Sequence, residues 1–316
     1  MTEIIAEAIV PADLAGQRLD QACAAVFPDY SRSRLKVWIL AGRLTVNGQP
    51  ARPKDPVYGG EALSLATELA PETDAEPQAV AFDVVREDAE FIVVAKPAGL
   101  VVHPGAGNPD RTLQNGLLHR YPELAELPRA GIVHRLDKDT SGLMVVARRL
   151  TALTELTRQL GAKTVRRDYL AVCNGVLTGG GSIDEPVGRH PTQRTRMAVV
   201  ASGRPAVTHY RVVERFAAHT LLRCTLQTGR THQIRVHLAH RRHPLVGDPL
   251  YGGRPRLPPA ATEAVTAALR SFRRQALHAA ELAFRHPASD ETVSTELPPP
   301  ADFSALVAAL RSHASG

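Results

Sequence analysis

Short apolar runs at irregular intervals constrain this chain more than any other feature. Runs at 82–85, 91–95, 142–147, 169–172, 207–213 and 221–226 have the length and composition of β-strands. Helical stretches over 151–161 and 231–241 fall between some of them. The two kinds do not alternate in the steady βαβ rhythm of a doubly wound sheet, so the pattern predicts an α+β domain. No run approaches the roughly 20 residues that a membrane-crossing helix needs. The opening MTEIIAEAIV carries two glutamates and lacks the basic start of a secretory signal. Cys23, Cys173 and Cys224 show no pairing or CxxC spacing, as in a reducing compartment. The expectation is a cytoplasmic protein without membrane association.

Residues 67–79 (TELAPETDAEPQA) hold four acids, two prolines and no basic side chain, the composition of a linker. They divide the chain into a module at 1–66 and a larger domain at 80–316. The compact part of the module begins near residue 15, after an N-terminal extension. Leu19, Cys23 and Val26 fall on one helical face, and Pro28 stops that helix. Ser31 is positioned to cap a second helix with an apolar stripe of Leu35, Trp38 and Ile39, leaving Arg32, Arg34 and Lys36 largely on the other face. Leu44–Val46, the Asn47-Gly48 turn signal and the run at 63–65 predict a hairpin. Beyond 296, three prolines (298–300) precede a short Ala/Leu helix.

The 316 residues carry 38 basic and 32 acidic side chains, a net charge of +6. Only five of the cations are lysines. GC-rich coding accounts for arginine over lysine as readily as function does, but it does not account for clustering. Six arginines face one acid within 189–215, and six face one within 229–256. Such clusters suit a polyanion, because a guanidinium can fork onto phosphate and stack on a base.

Four segments concentrate Gly, His, Arg and Asp: 96–108, 134–143, 167–172 and 228–253. The runs HRLDKDTSG (134–142), DYLAV (168–172) and GRTHQIRVH (229–237) resemble those of the RluA-type RNA pseudouridine synthases. Residues 15–66 resemble the S4 RNA-binding domain often attached to that family, so the likeness covers nearly the whole chain. It implies a pseudouridine synthase domain with a mixed, mostly antiparallel sheet, preceded by a small S4 (αL-type) RNA-binding domain. It also implies an isomerase acting on uridines of large-subunit ribosomal RNA, in the helix 69 stem-loop, as free RNA or within a pre-50S particle. The enzyme is expected to be monomeric and to need no cofactor.

The resemblance assigns catalytic roles to Asp137, Tyr169 and Arg235. A carboxylate at the sugar can attack C1′ or remove the 2′ proton, and the sequence leaves both routes open. A carboxylate enclosed against a base needs a nearby cation to stay charged; Arg235 matches the family arginine, on a helix capped by Thr231 with Ile234 and Leu238 toward the core. Tyr169 can stack on an extruded uracil. Arg135 matches the arginine that fills the space left by the base. Arg230 and His134, with Arg32, Arg34, Lys36 and Arg43 of the module, are further expected RNA contacts. Lys96, Pro97 and Gly99 are expected to support the active-site loops, and Asp139 to bond within its own turn.

His232, His237, His240 and His243 cluster in sequence, but their spacings do not share one helical face and no thiolate lies near, so no metal site is expected. Two other readings share parts of the pattern. A non-catalytic RNA-binding or ribosome-assembly protein would have the basic clusters without needing the Asp/Tyr/Arg set, and a synthase acting on transfer RNA or another ribosomal site would have both.

Overall fold

A computed structural model describes residues 3–68, 75–105, 107–193 and 195–314. The middle of the acidic linker, 69–74, lies outside the described residues.

The N-terminal module is built from β1 (Glu3–Ile9), α1 (Leu19–Val26), α2 (Arg32–Leu40), β2 (Leu44–Val46) and β3 (Ala62–Glu68). Ser31 caps α2 as its sequence demands, its Oγ accepting from the Arg34 amide at 3.3 Å. Asn47 and Gly48 take positive φ and close the tight turn after β2. The buried side chains of Leu19, Cys23, Leu35, Trp38 and Ile39 pack the two helices onto the sheet. The sheet has three strands in the order β1-β3-β2, so the strand at 3–9, expected to be an extension, is part of the module. Its alternating EIIAEAI was too brief a pattern to identify without its partner.

Arg34 corrects another expectation. It is buried, with its guanidinium 5.6 Å from the centre of the Trp38 ring, rather than sharing the solvent face of Arg32 and Lys36. Four residues of helical spacing put Arg34 over Trp38, where its apolar stem covers the ring. Arg32 instead forms an ion pair at 2.8 Å with the buried Asp20, which Arg18 also holds.

The rest of the chain contributes β4 (Asp83–Glu87), β5 (Phe91–Lys96), α3 (Leu113–Arg120), β6 (Ser141–Ala147), α4 (Leu150–Gly161), β7 (Arg166–Asn174), β8 (Gly181–Asp184), β9 (Val187–Arg189), β10 (Met197–Val199), β11 (Val207–Arg215), β12 (His219–Leu226), α5 (Gln233–His240), α6 (Glu263–Ser271), β13 (Leu277–Arg285), β14 (Thr292–Glu296) and α7 (Ala301–Ala314). Nine strands form one sheet in the order β4-β5-β6-β13-β7-β12-β11-β8, with β14 added to β13. Its pairings are antiparallel except β6 with β13, so the fold is the mixed, mostly antiparallel α+β arrangement expected. β9 and β10 form a separate two-stranded ribbon. Apolar side chains of α6 and α7 cluster with Val172 and Leu221 of the sheet, and those of α4 cluster with β5, β6 and β13.

Central β13, with the shorter β8 and β14, is a strand that inspection of the sequence overlooks. Its LHAAELAFR is rich in alanine and leucine, which favour helix, and its conformation is set by the strands on either side.

β6 and β13 meet in the sheet's parallel contact. The two strands pair only at Ser141–His278 and Gly142–Ala279, and then separate. Beyond that point the Val145 amide donates to His134 Nε2 at 3.1 Å. At the junction the backbones approach so closely that a Cβ on Gly142, whose φ is +123°, would lie 2.3 Å from the Ala279 carbonyl oxygen. Gly142→Ala should therefore lower stability by about 2–3 kcal/mol. Chemical denaturation checks this, and an unchanged midpoint would mean the junction can relax.

Candidate functional site

A cavity of about 640 Å³ is lined by the segment at 132–137, the end of α4, β7 and the loop before α5. Asp137, Tyr169 and Arg235, more than sixty residues apart in places along the chain, all line it. Six cationic side chains and a single carboxylate, that of Asp137, form its charged lining.

Asp137 sits on the turn that leads into β6, its side chain 17% exposed. Arg235 Nη1 donates to its Oδ2 at 2.9 Å. The other side of the same guanidinium is held by Asp248, with Nε to Oδ2 at 2.8 Å and Nη2 to Oδ1 at 2.9 Å. Oδ1 of Asp248 also accepts from the amides of Leu250 and Tyr251. Arg235, 4% exposed, thus bridges two carboxylates, one fully engaged and one facing the cavity. The Tyr251 ring centre lies 5.1 Å from the guanidinium carbon and covers it. Burial opposes the charge on Arg235, but Asp248 and Asp137 together hold its pKa above the ordinary arginine value.

The turn carrying Asp137 is fixed from below by Lys96. Its buried Nζ donates to the carbonyls of Pro97 and Leu100 at 2.8 Å and of Lys138 at 2.9 Å. Gly99, at φ +87°, donates its amide to the same Lys138 carbonyl. The loop at 96–100 is in this way sewn to the turn at 137–140. Burial pushes the Lys96 pKa down to about 7, against the pull of Asp139 and Asp137, while three carbonyl acceptors match the three protons of the ammonium form. The carboxylate of Asp139 makes no hydrogen bond to its turn among the described residues; the Asp139 carbonyl instead accepts from Arg274. The turn is closed by the Thr140 amide, which donates to the Asp137 carbonyl at 3.1 Å, and Lys96 and Arg274 hold its other carbonyls from neighbouring segments.

Tyr169 projects from β7 and is 6% exposed. Burial raises its pKa to about 12, with Arg167 opposing and Asp137 adding to the effect, so near neutrality its hydroxyl carries a proton.

His232, not Thr231, precedes α5, and it does so with left-handed φ of 57° and no side-chain cap. The loop is anchored by Gln233 instead, whose Oε1 accepts from the Arg230 amide and Thr228 Oγ1 while Nε2 donates to the Val207 carbonyl and Thr208. Threonine followed by a helical pattern signals a cap, but here a long-range amide does its work. His232 Nδ1 lies 2.9 Å from Tyr251 Oη and Nε2 lies 3.9 Å from Asp137 Oδ1. Burial lowers its pKa. His237 contacts Thr208 and the Glu185 carbonyl, His243 the Asn174 carbonyl, and His240 is exposed, so the histidines grouped in sequence have separate surroundings.

Of the expected RNA contacts in this domain, Arg135 is exposed at the cavity and Arg230 lines it while donating Nε to the Pro205 carbonyl. His134 is occupied by the Val145 amide, which makes it a support of the cavity wall. Pro97 is exposed beside the Lys96 anchor. In the N-terminal module Lys36 and Arg43 are exposed. Sequence reasoning missed Asp248 and Tyr251 as members of the site. The signal available was the stretch PLVGDPLYGG, in which an aspartate precedes proline and two further residues whose amides it binds.

The RNA pseudouridylate synthase family profile matches residues 90–240, and the S4 domain profile matches 17–63. The chain is 55% identical over 305 residues to a protein of Xanthomonas campestris pv. campestris named ribosomal large subunit pseudouridine synthase D, covering 96% of this chain and 92% of that one. It is 56% identical over 297 residues to the protein of the same name from Escherichia coli K12, covering 94% and 91%. Among solved structures, human RNA pseudouridylate synthase domain containing 4 superposes with a TM-score of 0.56 at 25% identity, covering 72% of this chain and 92% of that one. Human RNA pseudouridylate synthase domain containing 1 gives 0.55 at 27% identity, covering 71% and 85%.

Two outcomes follow from the geometry. Asp248→Ala leaves Arg235 buried with half its partners and should cost about 3–5 kcal/mol of stability, read by denaturation. His134 has its pKa pushed down to about 3 by burial, with Arg167 adding to the effect. Between its ordinary 6.5 and about 3 the unfolded chain binds a proton that the folded one refuses, so stability falls as pH drops through that window. His134→Gln keeps an acceptor for Val145 and should flatten melting temperature against pH there; an unchanged slope would refute a neutral imidazole.

Proposed function

Because this chain belongs to the RluA-type RNA pseudouridylate synthase family, we propose that it isomerises uridines of large-subunit ribosomal RNA, with Asp137 acting at the sugar. It is an RNA pseudouridine synthase with an S4 domain. The observation that carries the catalytic assignment is the oriented carboxylate of Asp137, held by Arg235 at 2.9 Å in an otherwise basic cavity.

Isomerisation breaks the N1–C1′ bond, turns the freed uracil and joins C5 to C1′. C5 gives up a proton and N1 ends with one, so atoms and electrons balance within the nucleotide. Asp137 either attacks C1′ or takes the 2′ proton, and both routes need a carboxylate aimed at the sugar. Arg235 provides the aim and Asp248 locks Arg235. Tyr169 stacks on the turned base, and its protonated hydroxyl offers a hydrogen-bond donor rather than a base. Extruding the nucleotide costs a few kcal/mol, and Arg135, exposed at the cavity, fills the gap left in the stack.

The target in this reading is the helix 69 stem-loop, free or within a pre-50S particle, in the cytoplasm, and the enzyme works as a monomer. The module, which β3 carries past the expected boundary of 1–66 to Glu68, docks RNA through Lys36, Arg43 and the outer part of Arg32, and the rest of the acidic linker expected at 67–79 is repelled by the phosphates. The domain at 80–316 carries the chemistry, with Lys96, Pro97 and Gly99 supporting the loop of Asp137.

Asp137→Asn should retain its melting temperature and RNA affinity yet form no pseudouridine on transcribed large-subunit RNA when modified positions are mapped. Tyr169→Phe should be milder than Tyr169→Ala. Undiminished turnover by Asp137→Asn would remove the catalytic assignment, and absence of pseudouridine with the unaltered protein would favour a purely RNA-binding role.

A further inference from the structure

Arg167 is a buried cation with no partner among the described residues. It is 8% exposed and lines the cavity two residues before Tyr169 on β7. Its Nε is enclosed without an acceptor, and among the described residues the guanidinium forms no hydrogen bond or ion pair. The neighbouring acid does not serve it. Asp168 points away and is taken by Arg166 at 2.8 Å, Thr225 at 2.7 Å and Arg223 at 3.7 Å. Asp137, the cavity's single carboxylate, is already engaged by Arg235.

Leaving a guanidinium enclosed and unpaired is costly, and buried charges are ordinarily matched. The surrounding fold nevertheless makes space for this one. A Cβ on Gly229 would lie 2.7 Å from Arg167 Nη1, so any side chain at 229 would push the end of the guanidinium out of its present place. Lys163 and Arg230 line the same cavity and deepen its positive potential. A neutral carbonyl on the base would satisfy a donor but leave the charge uncompensated. A phosphate would do both, through short charge-assisted bonds.

We propose that Arg167, with Gly229 giving it room, is a substrate-binding residue that grips a backbone phosphate adjoining the extruded uridine and so fixes the sugar over Asp137. This rests on reading the chain as an enzyme acting on ribosomal RNA. Arg167 is assigned to holding the strand, separately from the Asp137–Arg235–Asp248 clamp.

The test uses the full-length protein and a helix 69 stem-loop RNA. One version has ordinary phosphates, and two others carry a single uncharged methylphosphonate on the 5′ or the 3′ side of the modified uridine. Dissociation constants and kcat/KM are measured for the unaltered protein, Arg167→Met, Arg167→Lys and Gly229→Ala. The unaltered protein should lose roughly ten- to hundredfold on one of the two methylphosphonate RNAs. Arg167→Met should show a similar loss on ordinary RNA and no further loss on that substituted RNA. Arg167→Lys should recover part of the loss and stay sensitive to the phosphate. If Arg167→Met does not fold, Gly229→Ala, which displaces the guanidinium, should reproduce its insensitivity. Equal discrimination by the variants and the unaltered protein, or none by the latter at either linkage, overturns the proposal. Phosphate discrimination in binding that depends on Arg167, without pseudouridine formation, would support the grip while refuting the enzymatic reading.

Discussion

Arg235 is the constraint around which the domain is arranged. A guanidinium with 4% exposure is tolerable only if its donors and charge are met. Asp248 meets them on one side through two bonds, and Tyr251 covers the flat face. Nη1 is directed toward Asp137. Each contributor comes from a different part of the chain: Arg235 from a helix, Asp248 and Tyr251 from the loop after it, Asp137 from a turn a hundred residues earlier. Holding one charge therefore fixes the relative positions of three segments.

The one parallel pairing of the sheet is short. β6 and β13 are parallel neighbours for only two residue pairs, at a contact that Gly142 alone permits. Where they part, His134 takes over the Val145 amide and becomes part of the wall. Lys96 then connects the loop at 96–100 to the turn at 137–140 through three carbonyls. Beyond the junction β6 is bonded by the His134 side chain and by a backbone bridge from Ile132 to Val146, and the segment held in this way lines the cavity up to Asp137.

Legibility in the sequence followed the range of the interactions. The Ser31 cap and the Asn47-Gly48 turn were readable because their partners lie within four residues. Most strands of the sheet were readable from their β-branched runs. β13 was not, because its alanines and leucines carry a helical preference that only pairing with β6, β7 and β14 overrides. Arg34 was misplaced because its charge suggested solvent while its spacing put it on Trp38. Thr231 looked like a cap, but the loop found a stronger anchor in Gln233 through bonds to β11.

The candidate site divides in the same way. The run HRLD, the tyrosine of DYLAV and the arginine of HQIRVH named Asp137, Tyr169 and Arg235 by resemblance, and composition showed that a polyanion was the natural partner. Those are properties of residue type and local order, which a linear chain carries in full. Tertiary structure alone decided that Asp248 completes the hold on Arg235, that Asp168 turns away from Arg167, and that Gly229 leaves room for the latter. Charge pairing depends on distances of about 3 Å between segments far apart in sequence, and no local pattern encodes which of several acids will arrive there.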